Sequence, residues 1–226
     1  MIGRLAFPRH LSKTSWKWFK EYRAGRFLPA SVEPELAAML NSAVKGNLVI
    51  DAGANVGRMS FILGLRGAIV HAFEPNPVAF EMLSRNLGNW PNITLHNAAV
   101  SNCDGEASLY LHELHKENEV AFSTGSSLKA EKTNVLQNET VSVQTVDLAR
   151  FINNLPQSIH LMKMDIEGAE VDVIPHLVAQ GSFDHIENAV IETHERKNPL
   201  LRDATEAMRK RIQDAGLSSK VRLDWH

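Results

Sequence analysis

Apolar residues in this chain fall into short dense runs separated by longer amphipathic stretches. The runs are NLVIDAG (47–53), AIVHAFEP (68–75), NITLHNAAV (92–100), SIHLMKMDIEG (158–168) and IENAVIETHE (186–195). Short β-branched runs with little alternation, closed by turn residues, predict strands buried on both faces. Between them SVEPELAAMLNSAVK (31–45), GRMSFILGLRG (57–67), PVAFEMLSRNLGN (77–89), VDLARFINNL (146–155), AEVDVIPHLVAQG (169–181) and LLRDATEAMRKRIQDAG (200–216) carry helical spacing. Ser31 is placed to open the first of these, and Gly46, Gly67, Gly88 and Gly216 to close helices. SKVRLDWH (219–226) reads as a terminal strand. Strands alternating with helices of this length imply a parallel sheet with right-handed crossovers.

Residues 101–146 break that rhythm. EASLYLHE (106–113) and ETVSVQTV (139–146) read as strands around a polar stretch, KENEVAFSTGSSLKAEKTN (116–134). A loop of that length inside a compact domain is usually functional or mobile, and we expect an insertion that covers the site; Ser126 and Ser127 either touch the acceptor or belong to a solvated loop. The expected division is an N-terminal helical extension (1–45) and one α/β domain (46–226) with its insertion at about 101–146.

Composition narrows the class. The chain has 226 residues, a formal net charge of -2 and one cysteine, Cys103. That length is ample for one buried core, and a single thiol excludes an intrachain disulfide. No run reaches the roughly eighteen apolar residues a membrane helix needs, and the N-terminus lacks the apolar core of a secretion signal. A cytoplasmic protein is expected. Met1 to Ala30 hold seven Lys or Arg and one acid, Glu21. In SWKWFKEYRAGRF (15–27) these cations interleave with aromatics. Such a helix either makes a peripheral membrane contact or packs its aromatics on the domain. The whole-chain balance argues against a nucleic-acid partner.

The chemistry begins at VIDAGANVG (49–57). The dinucleotide pattern G-x-G-x-x-G anchored at Gly53 would need glycines where Asn55 and Arg58 stand, so that register fails. The register D-x-G-x-G-x-G places Asp51, Gly53 and Gly57 correctly and departs only at Asn55. Asparagine tolerates a left-handed backbone well, so it can stand for a glycine there. A carboxylate at Asp51 would repel a pyrophosphate but suits the sulfonium and ammonium of S-adenosylmethionine. Glu74 ends the second strand and is placed to accept ribose hydroxyls, which NAD and S-adenosylmethionine share.

VIDAGANVG (49–57), HAFEPNP (71–77) and LMKMDIEGAE (161–170), with NAAVSNCDGEASLY (97–110) and IETH (191–194), closely resemble the FkbM family of S-adenosylmethionine-dependent methyltransferases. The likeness spans roughly residues 47–195. It implies a class I methyltransferase (Rossmann-like) fold, doubly wound, with a mostly parallel sheet and helices on both faces. It also implies O-methylation of a hydroxyl on a sugar, glycan or small natural product. Carried over, Asp51, Gly53, Asn55, Val56 and Gly57 would line the methionine part of the cofactor. Glu74 would hold the ribose, Pro75 and Asn76 would border the adenine or ribose edge, and Asn97, Ala98 and Ala99 would flank the adenine. Such folds usually finish with an antiparallel hairpin, of which this sequence shows one strand.

Side chains alternate along strands, so Lys163 pairs in orientation with Asp165, and Glu192 with His194. With their strands adjacent, these four would converge beside the transferred methyl as the catalytic group. Lys163 needs an ion-pair partner, Asp165 or Glu192, because a buried strand lysine is costly alone. Asp165 or His194 would take the acceptor's proton. No metal is expected, although Asp165, Glu192 and His194 also form an O,O,N set for an ion such as Mg²⁺. Glu170 reads as a complement to a helix dipole. Two competing readings remain: an NAD(P)-dependent Rossmann oxidoreductase, which Asp51 opposes, and a non-catalytic cofactor-binding homologue.

Overall fold

A computed structural model describes residues 11–26, 34–112, 127–128 and 135–225. In chain order its elements are α1 (Lys13–Arg23), α2 (Pro34–Ser42), β1 (Leu48–Ala52), α3 (Arg58–Leu65), β2 (Ile69–Phe73), α4 (Pro77–Leu87), β3 (Ile93–His96), β4 (Ala99–Ser101) and β5 (Gly105–His112). They continue with β6 (Val135–Asp147), α5 (Leu148–Asn153), β7 (Ile159–Met164), α6 (Glu170–Ala179), β8 (Ala189–Glu192), α7 (Arg202–Asp214) and β9 (Val221–Trp225).

Six strands form one sheet in the order β3-β2-β1-β7-β8-β9. Every pair in it is parallel. The order reverses between β1 and β7, and an open α/β sheet leaves a crevice at the carboxyl ends of the strands flanking such a reversal. Burial on both faces explains the near-continuous apolar runs. Leu48, Ile50 and Ala52 of β1 join a core with α5, α6 and α7, while Val49 joins the opposite core with α3 and α4. The expected doubly wound α/β architecture is therefore present.

The N-terminal helix packs by one face. Trp18 is buried against Phe61, with ring centroids 5.6 Å apart. Ser12 donates to Asn86 Oδ1 at 2.8 Å, and Ser15 donates to the Asn86 carbonyl at 3.1 Å. Trp16 stays 48% exposed, with the Lys20 ammonium 5.6 Å from its ring centroid.

Several expectations are corrected. NITLHNAAV is two strands, because the chain turns out of the sheet at exposed Asn97, and β3 and β4 belong to different sheets. The interruption at 101–146 contributes to a second sheet, β4-β6-β5, parallel between β4 and β6 and antiparallel between β5 and β6. Its β6 runs thirteen residues, longer than the expected 139–146. The helix expected over 31–45 is Pro34–Ser42, Ser31 lies outside the described residues, and Gly46 sits in the following turn at φ 87°. The single terminal strand read from the sequence is present as β9; it pairs parallel to β8, and the six-stranded sheet has no antiparallel pair among the described residues.

Candidate active site

A cavity with about 630 Å³ of empty space, its open mouth included, lies at the carboxyl ends of β1, β2 and β7. Three segments build its floor: the turn after β1 (Gly53, Asn55), the turn after β2 (Glu74, Pro75, Asn76) and the turn after β7 (Asp165, Ile166, Glu167). Ala98 and Ala99 form one side, and Leu109, Ser127 and Leu128 close another.

The β1 turn is shaped by positive φ angles at Gly53 (77°), Asn55 (50°) and Gly57 (94°). Asn55 is thus left-handed, as its place in the glycine register implies, and its Oδ1 accepts from the Val56 amide at 2.7 Å. Gly53 is required by proximity: a Cβ there would lie 1.7 Å from the Asp165 carbonyl oxygen. Gly57 serves packing instead, since a Cβ would lie 2.5 Å from a Leu83 methyl of α4. Asn86, also on α4, donates to the Val56 carbonyl at 3.0 Å and holds the turn from behind.

Glu74 joins two of these turns. Its Oε2 accepts from the Asn55 amide and its Oε1 from the Asn76 amide, both at 2.8 Å. Burial pushes its pKa up to about 7, although both backbone bonds favour the ionised form. Asn76 caps α4, its Oδ1 accepting from Val78 and Ala79 at 3.0 and 3.3 Å.

Asp51 is placed differently from the expectation. It is fully buried and does not reach the cavity wall. Its Oδ2 accepts from the Ser60 hydroxyl at 2.6 Å, and its Oδ1 lies 3.3 Å from the Lys163 ammonium. Adjacent registers on β1 and β7 impose this pairing, because a buried carboxylate needs a compensating cation. Lys163 also donates to the Gly53 carbonyl at 2.8 Å and lies 3.8 Å from Asp165. Burial pulls its pKa down, but Asp51 and Asp165 outweigh that and hold it above the ordinary value. Val56 and Gly57 also lie off the cavity wall, as does exposed Asn97.

Lys163, Asp165, Glu192 and His194 lie near one another at or behind the cavity wall. His194 Nε2 lies 3.5 Å from Asp165 Oδ1 and 3.9 Å from Glu192 Oε1. Only Asp165 of the four lines the cavity; His194 stands behind it. Glu192 is claimed by Lys197, which donates to Oε1 at 2.7 Å.

Sequence reasoning missed Glu170. This buried carboxylate accepts from the amides of Ile166 (2.8 Å) and Gly168 (2.9 Å), so it fixes the turn that carries Asp165 and Glu167. Its Oε1 also lies 3.2 Å from His194 Nδ1. That approach is an ion pair off the N–H direction, since neither ring nitrogen has an aligned hydrogen-bond partner. Burial lowers the His194 pKa, and Glu170, Glu167 and Asp165 outweigh it, leaving the ring more basic than usual. The signal available in sequence was the capping geometry of a glutamate reaching back to amides at a helix start.

Glu167 is left-handed at φ 58°. Buried Ser127 donates to its carbonyl at 2.7 Å and pairs with Tyr110 of β5. Of the 101–146 region, Leu109, Ser127 and Leu128 line the cavity among the described residues, and Ser126 lies outside them.

The Methyltransferase FkbM domain family matches residues 51–218. Methyltransferase 1 of Beauveria bassiana is 27% identical over 166 residues, 67% of this chain and 66% of that protein. Methyltransferase sdnD of Sordaria araneosa is 27% identical over 205 residues, 78% of this chain and 76% of its own. Hexuronic acid methyltransferase AglP of Haloferax volcanii is 23% identical over 187 residues, covering 81% and 68% of the two chains. Among solved structures, an FkbM methyltransferase from Methylobacillus flagellatus aligns over 73% of this chain and 37% of its own, at 15% identity and a TM-score of 0.44.

Proposed function

Given that this chain belongs to the FkbM methyltransferase family, we propose that it moves a methyl group from S-adenosylmethionine to a hydroxyl oxygen of a sugar, a glycan or a small natural product. The observation that carries this reading is the charge of the cavity. Glu74, Asp165 and Glu167 line it, and no lysine or arginine does among the described residues. Three carboxylates attract a sulfonium and an ammonium, whereas a nicotinamide dinucleotide would bring a pyrophosphate into an acidic wall with no cation to meet it. The argument first attached to Asp51 therefore belongs to Asp165 and Glu167, since Lys163 neutralises Asp51.

The lining suits the parts of such a cofactor. Glu74 presents a buried carboxylate for ribose hydroxyls. Phe73, Ala98 and Val100 give an apolar wall for a flat base. The turn at Gly53 lets a ligand approach backbone directly. In the transfer, an acceptor oxygen–carbon bond forms as the carbon–sulfur bond breaks, and the hydroxyl proton passes to the Asp165–His194 pair. Alignment of the three reacting centres would supply most of the acceleration. The name of the Haloferax relative favours a sugar among acceptors.

Calorimetric titration with S-adenosylmethionine, S-adenosylhomocysteine and NADH tests the cofactor. Micromolar binding of the first two is expected, and NADH binding without them would overturn the reading. Transfer of a tritiated methyl group to a panel of hydroxylated acceptors tests catalysis. Cofactor binding with no transfer across the panel would leave a non-catalytic binding module.

A further inference from the structure

Behind the cavity wall, His194 is 2% exposed and both of its ring nitrogens are buried without an aligned hydrogen-bond partner. A buried polar ring in that state calls for another ligand. Four carboxylates surround it. Asp165 and Glu167 lie 3.5 and 3.4 Å from Nε2, Glu170 lies 3.2 Å from Nδ1, and Glu192 stands 3.9 Å from Nε2. Asp165, Glu170 and His194 each offer a ligand atom within 4.8 Å of the other two.

Around an ion with bonds of about 2.1 Å, ligand atoms lie roughly 3.0–4.2 Å apart. An ion bonds one nitrogen of a ring, and Glu170 approaches Nδ1 whereas Asp165 approaches Nε2. Coordination by all three therefore requires one carboxylate to move toward the other's nitrogen from a starting separation within 4.8 Å. Glu170 is already oriented, because the Ile166 and Gly168 amides donate to its two oxygens and leave further lone pairs available. Amides held in this way fix a ligand's direction. Asp165 is partly exposed and lines the cavity, which gives an entry path. Lys197 pairs with Glu192, and Lys163 pairs with Asp51 at 3.3 Å more closely than with Asp165 at 3.8 Å.

We propose that Asp165, Glu170 and His194 bind a divalent cation, with Mn²⁺ as a representative, at the inner wall of the cavity. Two carboxylate oxygens and one imidazole nitrogen are an oxygen-rich set suited to such an ion. Positions left open on the cavity side would take water or neighbouring hydroxyls of an acceptor, and a bound dication makes a hydroxyl more acidic. From sequence no metal was expected, and the alternative set was Asp165, Glu192 and His194; here Glu170 stands in place of Glu192, which Lys197 holds. The ion site stands independently of the cofactor reading, its test uses the ion alone, and in the ion-bound protein Asp165 and His194 would act as ligands in place of the proton-accepting role proposed above.

Mn²⁺ is titrated into the full chain without cofactor, and the free ion is counted by its electron paramagnetic resonance signal. One ion per chain is expected, with Glu170→Gln and His194→Ala weakening it tenfold or more. Asp214→Asn, an exposed control, should leave it unchanged. Circular dichroism melts identify variants that fail to fold. For the wild-type protein, electron spin echo modulation should report a nitrogen coupled to the bound Mn²⁺. Absence of nitrogen coupling, or Glu170→Gln binding as tightly as wild type, would overturn the proposal. His194 would then be an imidazolium paired with its carboxylates.

Discussion

The ammonium of Lys163 lies 3.3 Å from the carboxylate of Asp51, two buried charges on adjacent parallel strands directly beneath the cavity. The pair holds the β1 turn from below, since Lys163 also donates to the Gly53 carbonyl. Lys163→Met should destabilise the fold by about 3–5 kcal/mol, because it strands a buried carboxylate. Asp51→Asn combined with Lys163→Met should cost clearly less than the two single changes summed. Urea unfolding of the three variants checks this, and additive losses would show that the two charges do not act on each other.

Glu74 titrates near pH 7 in the empty protein rather than near the ordinary 4.5. The folded state thus binds its proton more tightly than the unfolded chain does. That contribution to stability is complete below about pH 4.5 and is lost as the pH rises through 7. Melting temperatures between pH 5 and 8 should therefore fall less in Glu74→Gln than in wild type. Cofactor hydroxyls need the ionised acceptor, so affinity for S-adenosylhomocysteine should rise over the same interval. Glu74→Ala should weaken that affinity by about 1–3 kcal/mol at pH 8. A flat pH profile in calorimetry would remove Glu74 from ribose binding.

Much of this was legible in the sequence, and the reason is geometric. The parallel sheet declared itself because strands covered on both faces must be apolar throughout, as in LVIDA of β1. Asn55 was readable because its left-handed angle is permitted to few side chains. The role of Asp51 was misread because the strand pattern fixes which face a residue takes, not which neighbour meets it. Its register partner, Lys163, lies over a hundred residues away. Glu170 was missed for a related reason. Position at a helix start suggested a dipole effect, whereas two amides and His194 actually engage it. The 101–146 region carried the weakest pattern because a small, partly solvated sheet has no two-sided burial to impose one.

Asn55→Gly should leave the fold intact, while Asn55→Val should cost about 1–2 kcal/mol, the penalty for forcing a branched side chain to a left-handed angle. Chemical denaturation separates them. Equal stability of the two would mean that the turn relaxes to another conformation.

Ser127→Ala removes the hydroxyl that holds the Glu167 carbonyl. A loss of about 0.5–1.5 kcal/mol in global stability is expected. The sharper readout is hydrogen exchange: the amides of 165–168 should exchange faster, with β1 and β2 unaffected. No local change would show that the turn is fixed by Glu170 alone.

His194→Ala should abolish methyl transfer while S-adenosylhomocysteine binds within about twofold of wild type, because the ring lies behind Asp165 rather than on the cavity wall. Retained turnover would remove His194 from the chemistry.

The second sheet has a bearing on how such a protein can be re-engineered. Its strand β4 begins directly beyond the cavity residue Ala98, while β5 and β6 meet along a long antiparallel ladder. Ala99 of β4 and Leu109 of β5 both line the cavity, and so does Ser127, which bridges to Tyr110 of β5. Substitutions at Leu109 and Leu128 would therefore reshape the cavity from the second sheet while leaving the Glu74 and Gly53 turns untouched.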